Sequence, residues 1–143
     1  MSQGSVKCVL LADRHHGLCE GVRSLLETVF EAVVMVADEK SLLESARCLQ
    51  PTLAVVDLSI TRHDGLRWLR RLRERCPAVR ILVLSVHDES SVCQAVMEAG
   101  ADGFILKRAL ATELLPAVDT VLAGSHYVPA CVAQAGAPPR PAA

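Results

Sequence analysis

Short apolar runs recur along the chain, and segments of a different pattern separate them. Several runs are continuously apolar, which is typical of strands buried on both faces of a parallel sheet, whereas half-exposed strands alternate. The pattern therefore predicts five parallel strands, at Val6 to Ala12, Ala32 to Ala37, Leu53 to Val56, Ile81 to Leu84 and Phe104 to Leu106.

The segments between these runs carry apolar residues at helical spacing, three and four positions apart. Five stripes of this kind begin at Leu18, Leu42, Leu66, Val92 and Leu114. A strand followed by a helix, repeated five times, predicts an α/β fold with a doubly wound parallel sheet. Right-handed crossovers then place helices on both faces of the sheet.

Residues typical of helix ends agree with this division. Asp64 and Thr112 are predicted N-caps of the third and fifth helices, because their side chains can accept from free amide groups. Pro77 is predicted to end the third helix, and Gly100 and Gly124 follow the fourth and fifth.

The chain has room for one domain. Its 143 residues, of which 51% are apolar and 22% charged, indicate a single globular unit. The periodic pattern fades near Tyr127, and the end of the chain reads GAPPRPAA. We predict one domain over residues 5–128 and a Pro- and Ala-rich tail or linker over residues 129–143.

Composition also limits location and partners. No apolar stretch reaches the roughly 20 residues that span a bilayer, and the first residues do not resemble a signal peptide, so we expect a cytoplasmic protein without membrane contact. The net charge of −1 gives no general attraction to nucleic acid. An arginine-rich segment around the third helix, Arg62 to Arg80, is interpreted as a solvated face.

The six cysteines are scattered without metal-ligand spacing and are predicted to be ordinary small side chains, mostly in the core.

Polar residues follow four of the five runs. Asp13 follows the first, Asp57 the third, Ser85 the fourth and Lys107 the fifth. Each alone has an ordinary explanation as a cap or a solvated group, but carboxyl ends of parallel strands share one edge, where ligands bind.

Two carboxylates, a hydroxyl and an ammonium at one edge suit phosphoryl transfer to a carboxylate nucleophile. Neither G-x-G-x-x-G nor G-x-x-x-x-G-K-[ST] occurs, so the phosphoryl group is expected from a donor protein or a small phosphodonor.

Several motifs resemble the receiver domain of two-component response regulators, most closely the subfamily that precedes LuxR-type helix-turn-helix domains. The resemblance runs from about Val6 to Val128. It rests on LLADRH at residues 10–15, VVDL at 55–58, DGL at 64–66, LVLS at 82–85, and AGADGFILK at 99–107.

The resemblance implies a flavodoxin-like fold with strand order 2-1-3-4-5, which is the known strand order of a member of this family. It also implies site roles: Asp57 is the phosphoacceptor, Asp13 an acidic-pocket residue and Lys107 the partner of the phosphate. Ser85 and Phe104 are the switch pair. Magnesium is expected on Asp13, Asp57 and the backbone carbonyl of Ser59.

The chain departs from the family pattern at two positions. Arg14 stands where the family has a second acid that binds magnesium, and Thr61 stands where a proline is usual. The guanidinium of Arg14 could take the place of the metal and pair with a carboxylate, or it could point to solvent. We expect magnesium binding that is weaker than usual.

Two functions follow. The first is a receiver domain that a partner histidine kinase phosphorylates on Asp57, acting as a homodimer and without enzymatic activity of its own. The alternative is a pseudo-receiver, a protein-interaction module with weak or no phosphorylation because of Arg14. Direct nucleic-acid contact is not expected from this chain, and any DNA-binding output domain would lie outside it.

Overall fold

The computed structural model of the chain describes residues 7–14, 16–60 and 65–129. Its sheet has five strands, all parallel, in the order β2-β1-β3-β4-β5. The strands are β1 (Cys8–Ala12), β2 (Ala32–Val36), β3 (Leu53–Asp57), β4 (Arg80–Ser85) and β5 (Gly103–Leu106). Each lies within a residue or two of a predicted apolar run, and the predicted fold class and strand order are confirmed.

Five helices alternate with the strands. They are α1 (His16–Glu27), α2 (Glu39–Leu49), α3 (Arg67–Arg75), α4 (Ser90–Glu98) and α5 (Leu110–Leu122). Within the described residues, no helix is long and apolar enough to cross a membrane.

The buried core lies in two layers, one on each face of the sheet. One layer packs β-strand residues such as Val56 and Val83 against α2, α3 and α4. The other packs Val55 and Leu84 against α1 and α5. Because neighbouring residues of a strand point to opposite faces, β3 and β4 supply both layers and must be apolar throughout. This is the physical reason for the continuous apolar runs.

Three helix ends are as predicted, and two are not. Gly100 and Gly124 follow α4 and α5 with φ of 123° and 97°, and α3 ends at Arg75, before Pro77. Asp64 lies outside the described residues, as do Thr61 and residues 130–143, but α3 begins at Arg67 with Leu66 at its N-cap position, so the prediction that Asp64 caps this helix is wrong.

The prediction that Thr112 caps the fifth helix is wrong. The 3₁₀ turn Lys107–Ala109 runs directly into α5, so the helix already begins at Leu110. Thr112 therefore lies inside the first turn, and its hydroxyl donates to the carbonyl of Ala109 at 3.3 Å.

The periodic pattern of the sequence fades near Tyr127, but the chain at this point still pairs with β5 at the edge of the sheet. Tyr127 forms an isolated parallel bridge with Gly103. Its amide donates to the carbonyl of Asp102 at 3.0 Å, and its carbonyl accepts from the amide of Phe104 at 2.9 Å. The Tyr127 hydroxyl donates to Glu113 at 2.9 Å, which ties this segment to α5.

Candidate functional site

The four polar residues that follow strands meet at the carboxyl edge of the sheet. Asp57 ends β3, and Ser85 ends β4 beside it. Lys107 follows β5 directly, and Asp13 follows β1, where its amide donates to the carbonyl of Val36 at 3.1 Å. The predicted convergence on one edge therefore agrees with the geometry.

Asp57 is the centre of this arrangement. Its carboxylate is nearly fully buried, and the ammonium Nζ of Lys107 donates to Oδ2. The other oxygen, Oδ1, accepts from the backbone amide of Ser59 at 2.9 Å. The 3₁₀ turn Leu58–Ile60 after β3 brings that amide back towards the carboxylate. The result is an oriented carboxylate paired with one cation in a partly desolvated environment, where charge interactions are stronger than in water.

Ser85 and Phe104 are both buried, on neighbouring strands. The Ser85 hydroxyl accepts from the amide of His87 at 2.8 Å and donates to the carbonyl of the same residue at 3.3 Å. In this conformation the hydroxyl is therefore held by its own loop. To donate to a phosphoryl oxygen on Asp57, the hydroxyl would have to give up its contact with the His87 carbonyl.

A cavity of about 420 Å³ opens beside Asp57. Asp57, Ser85 and Lys107 all line it. The described lining consists of Asp57, Leu58, Ser59, Ser85, Val86, His87 and Lys107. Of these, Val86 is 69% exposed, so the cavity has an open mouth.

Arg14 lies at the same edge but does not belong to the described lining of the cavity. Its side chain is exposed and forms no ion pair with a described residue. The ion-pair partner of Asp57 among the described residues is Lys107, not Arg14.

The donor set for a metal ion is small. Among the described residues, no group of three or more His, Cys, Asp or Glu side chains could hold a metal. Magnesium, however, is commonly bound through one or two carboxylates and keeps several waters. The buried carboxylates of Asp13 and Asp57, with the backbone carbonyl of Ser59, fit a magnesium site of that sparse kind.

Three contacts outside the predicted site were not found from the sequence. Arg73, expected on a solvated face, is instead bonded to Asp102 and to backbone carbonyls. Tyr127 bonds Glu113, and Arg108 pairs with Asp88 at 3.3 Å. All three join residues at least 14 positions apart. No local pattern signals such pairs.

The described cysteines Cys8, Cys48, Cys76 and Cys93 are free thiols. Burial raises the pKa of Cys93 to about 11 and raises that of Cys8 as well, which keeps both thiols protonated and weakly nucleophilic at neutral pH. Cys76 and Cys93 are buried, as expected of core side chains, whereas Cys8 is partly buried and Cys48 is exposed.

The strand order and the five helices define the flavodoxin-like fold of receiver domains. A family model of the response regulator receiver domain matches residues 9–119. The chain therefore belongs to the response regulator receiver domain family. It is a receiver domain of two-component systems, in which such domains interact with histidine kinases.

Individual relatives agree with this assignment. Transcriptional regulatory protein DegU from Brevibacillus brevis is 33% identical over 122 residues, which cover 84% of this chain and 52% of that protein. Response regulator UvrY from Escherichia coli strain K12 is 32% identical over 130 residues, covering 88% and 59%. The chain thus spans little more than half the length of the curated relatives that it matches.

Solved structures give the same result. A two-component response regulator of the LuxR family from Aurantimonas sp. SI85-9A1 matches with a TM-score of 0.81 and 30% identity, covering 91% of this chain and 94% of that one. A structure of two RcsB dimers bound to two parallel DNAs shares the fold, with a TM-score of 0.77, 24% identity, and coverage of 91% and 67%. The predicted relationship to the LuxR-type subfamily is confirmed.

Proposed function

We propose that this receiver domain is phosphorylated on Asp57 by a partner histidine kinase. The observation that carries the proposal is the contact between Lys107 Nζ and Asp57 Oδ2, in a cavity that opens to solvent. A carboxylate nucleophile must stay ionised and must face its donor. The Lys107 ammonium lies against the carboxylate, and the Ser59 amide fixes the orientation of the group.

The reaction is a transfer of one phosphoryl group. A carboxylate oxygen of Asp57 forms a bond to phosphorus, and the bond from phosphorus to the leaving atom of the donor breaks. The leaving atom keeps the electron pair, and it is a histidine nitrogen for a kinase or a carboxylate oxygen for acetyl phosphate. Lys107 offsets the negative charge on the transferred group throughout, because its ammonium already lies at the carboxylate.

Magnesium would be held by Asp13, Asp57 and the Ser59 carbonyl, and it would supply further charge neutralisation. Arg14 adjoins this site and weakens the attraction for a divalent cation. Ser85 would leave His87 to bond a phosphoryl oxygen, and Phe104 would repack with it. An output domain would then bind the altered surface of the receiver domain.

The wider setting follows from the relatives. DegU is named a transcriptional regulatory protein, and dimers are named in the RcsB structure. By analogy, we propose a cytoplasmic homodimer, formed through α1 and α5 or through the face of α4 and β5, that controls transcription through a DNA-binding output domain. The names of the relatives favour this function over the pseudo-receiver alternative.

The test is intact mass after incubation with acetyl phosphate, with and without magnesium. The wild-type chain should gain the mass of one phosphoryl group, and Asp57→Asn should gain none. Asp119→Asn, an exposed change on α5, is the matched control and should behave as the wild type. A wild-type chain that gains no mass under any condition would favour the pseudo-receiver alternative.

A further inference from the structure

The loops that follow β4 and β5 both line the acceptor cavity, and one ion pair joins the two loops. His87 and Lys107 both line the cavity. The next residue after each is charged: Asp88 follows His87 and Arg108 follows Lys107. Arg108 Nη1 lies 3.3 Å from Asp88 Oδ2, so the guanidinium joins the loop after β5 to the loop after β4, one residue beyond the cavity lining on each side.

We propose that Arg108 is the outer cation of the site, which binds the anionic phosphodonor before transfer, and that Asp88 competes for it. This inference rests on the proposed phosphorylation of Asp57. The inner cation, Lys107, is committed to Asp57. A donor that approaches a carboxylate meets repulsion, and Lys107 is the one permanently charged cation of the described lining. Arg14 and Arg108 are exposed residues outside that lining, and of the two it is Arg108 that directly follows the lining residue Lys107.

The chemistry of the pair suits a temporary contact. Arginine stays charged at all physiological pH values, and its planar fork binds two phosphate oxygens at once. The side chains of Arg108 and Asp88 are 62% and 57% exposed. Exposed ion pairs hold their partners weakly, so a phosphate dianion can displace the Asp88 carboxylate. The guanidinium is then free to bind the phosphate of a donor beside the cavity.

Donor binding can be measured apart from transfer. In the Asp57→Asn background residue 57 cannot be phosphorylated, and acetyl phosphate binding can be followed by amide chemical shifts. Lys107 loses its carboxylate partner equally in every variant of this background, so differences between the variants report on Arg108 and Asp88. Adding Arg108→Gln should weaken binding about three-fold, and adding Asp88→Asn should strengthen it by a similar factor. Arg108→Lys should keep part of the affinity. Added salt should reduce all these differences.

Transfer is measured on the chain with Asp57 intact, as rate against acetyl phosphate concentration. Arg108→Gln should raise the half-saturating concentration about three-fold and leave the maximal rate unchanged. Arg23→Gln is the matched control, because Arg23 forms a similarly exposed ion pair with Glu27 on α1. It should match the wild type.

The outcomes separate the two proposals. If the intact chain gains a phosphoryl group on Asp57, but Arg108→Gln and Asp88→Asn match the Arg23 control in both assays, the pair is only a surface contact and the inference is wrong. If Arg108 governs donor binding in the Asp57→Asn background while the intact chain is never phosphorylated, the inference stands and the proposed transfer is wrong. If neither binding nor transfer occurs, both are wrong.

Discussion

Arg73 Nη2 lies 2.6 Å from Asp102 Oδ2, and this pair ties α3 to the start of β5. The same carboxylate oxygen accepts from the amide of Ile81 at 2.8 Å. Arg73 also donates to the carbonyls of Gly100 and Val79. One guanidinium thus binds both the loop before β4 and the loop before β5. These loops lie at the amino edge of the sheet, opposite the edge that carries Asp57.

Arg73→Ala should therefore destabilise the domain more than any other arginine change on α3. It would leave the mostly buried Asp102 carboxylate with the Ile81 amide but without the close Arg73 guanidinium, and it would remove a donor from the carbonyls of Gly100, Pro77 and Val79. We expect a loss of about 2–3 kcal/mol in the free energy of unfolding. Arg70→Ala, on the exposed side of the same helix, should cost less than about 0.5 kcal/mol. Urea unfolding of both variants provides the comparison, and equal midpoints would refute the role of Arg73.

Gly103 permits the close approach of β5 to its neighbours. A Cβ at this position would lie 2.6 Å from Leu82 Cδ1, 3.0 Å from Val121 Cγ1 and 3.4 Å from Tyr127 Cβ. Gly103→Ala should destabilise the domain by about 1–3 kcal/mol, because overpacking shifts the surrounding side chains. Thermal and urea unfolding measure the effect.

The control for this substitution is Gly21→Ala. Gly21 lies in α1, and nothing lies within 4 Å of its added Cβ. Since alanine favours helix over glycine, this variant should gain about 0.5–1 kcal/mol. A Gly103→Ala protein as stable as the Gly21→Ala protein would show that β5 is not closely packed at this point.

Tyr127 is the only tyrosine of the chain, so its ionisation can be followed by absorbance. Burial, together with the hydrogen bond to Glu113 and the charge of that residue, raises the pKa of Tyr127 to about 12. In the unfolded chain the pKa of this tyrosine should be about 10. The folded state therefore holds the proton more tightly. The stability that this contributes is complete below about pH 10 and is lost as the pH rises towards 12.

Glu113→Gln tests the cause of this shift. It removes the negative charge that opposes ionisation, so the absorbance midpoint of Tyr127 should fall part of the way towards the unfolded value. The desolvation contribution remains, so the fall should not be complete. A midpoint unchanged by Glu113→Gln would mean that burial alone sets the pKa of Tyr127.

The fold and the position of the candidate site could be predicted because they depend on local pattern. Asp57, Ser85 and Lys107 each end or follow an apolar run, and parallel strands then bring them to one edge by geometry. Thr112 was misplaced, because a cap depends on where the preceding turn ends. The Arg73–Asp102 pair could not be predicted, because nothing in an arginine-rich helix tells which guanidinium points inward.

Arg14 stands at the position where receiver domains usually have a second acidic residue. Clustered carboxylates hold a divalent cation because their charge repays the loss of its water ligands. Replacing a carboxylate with a guanidinium changes the local charge by about two units and repels the ion. The exposed guanidinium does not pair with Asp57, so it leaves that carboxylate free to react but provides no ligand of its own. Magnesium should therefore bind, but weakly.

Arg14→Asp should strengthen magnesium binding by at least about ten-fold and should accelerate phosphorylation by acetyl phosphate at low magnesium. Magnesium titrations followed by the fluorescence of Trp68, or by amide chemical shifts, give the affinity, and intact mass over time gives the rate.

Arg47→Asp is the matched control. It makes the same charge change at an exposed site in the last turn of α2, near the other edge of the sheet, and should alter neither quantity. Removing magnesium with a chelator should slow the Asp variant more than the wild type, because only the variant gains a strong metal contribution. If the wild-type chain binds magnesium as tightly as Arg14→Asp and is phosphorylated as fast, the third carboxylate is dispensable here, and Asp13 and Asp57 alone make a site of full strength.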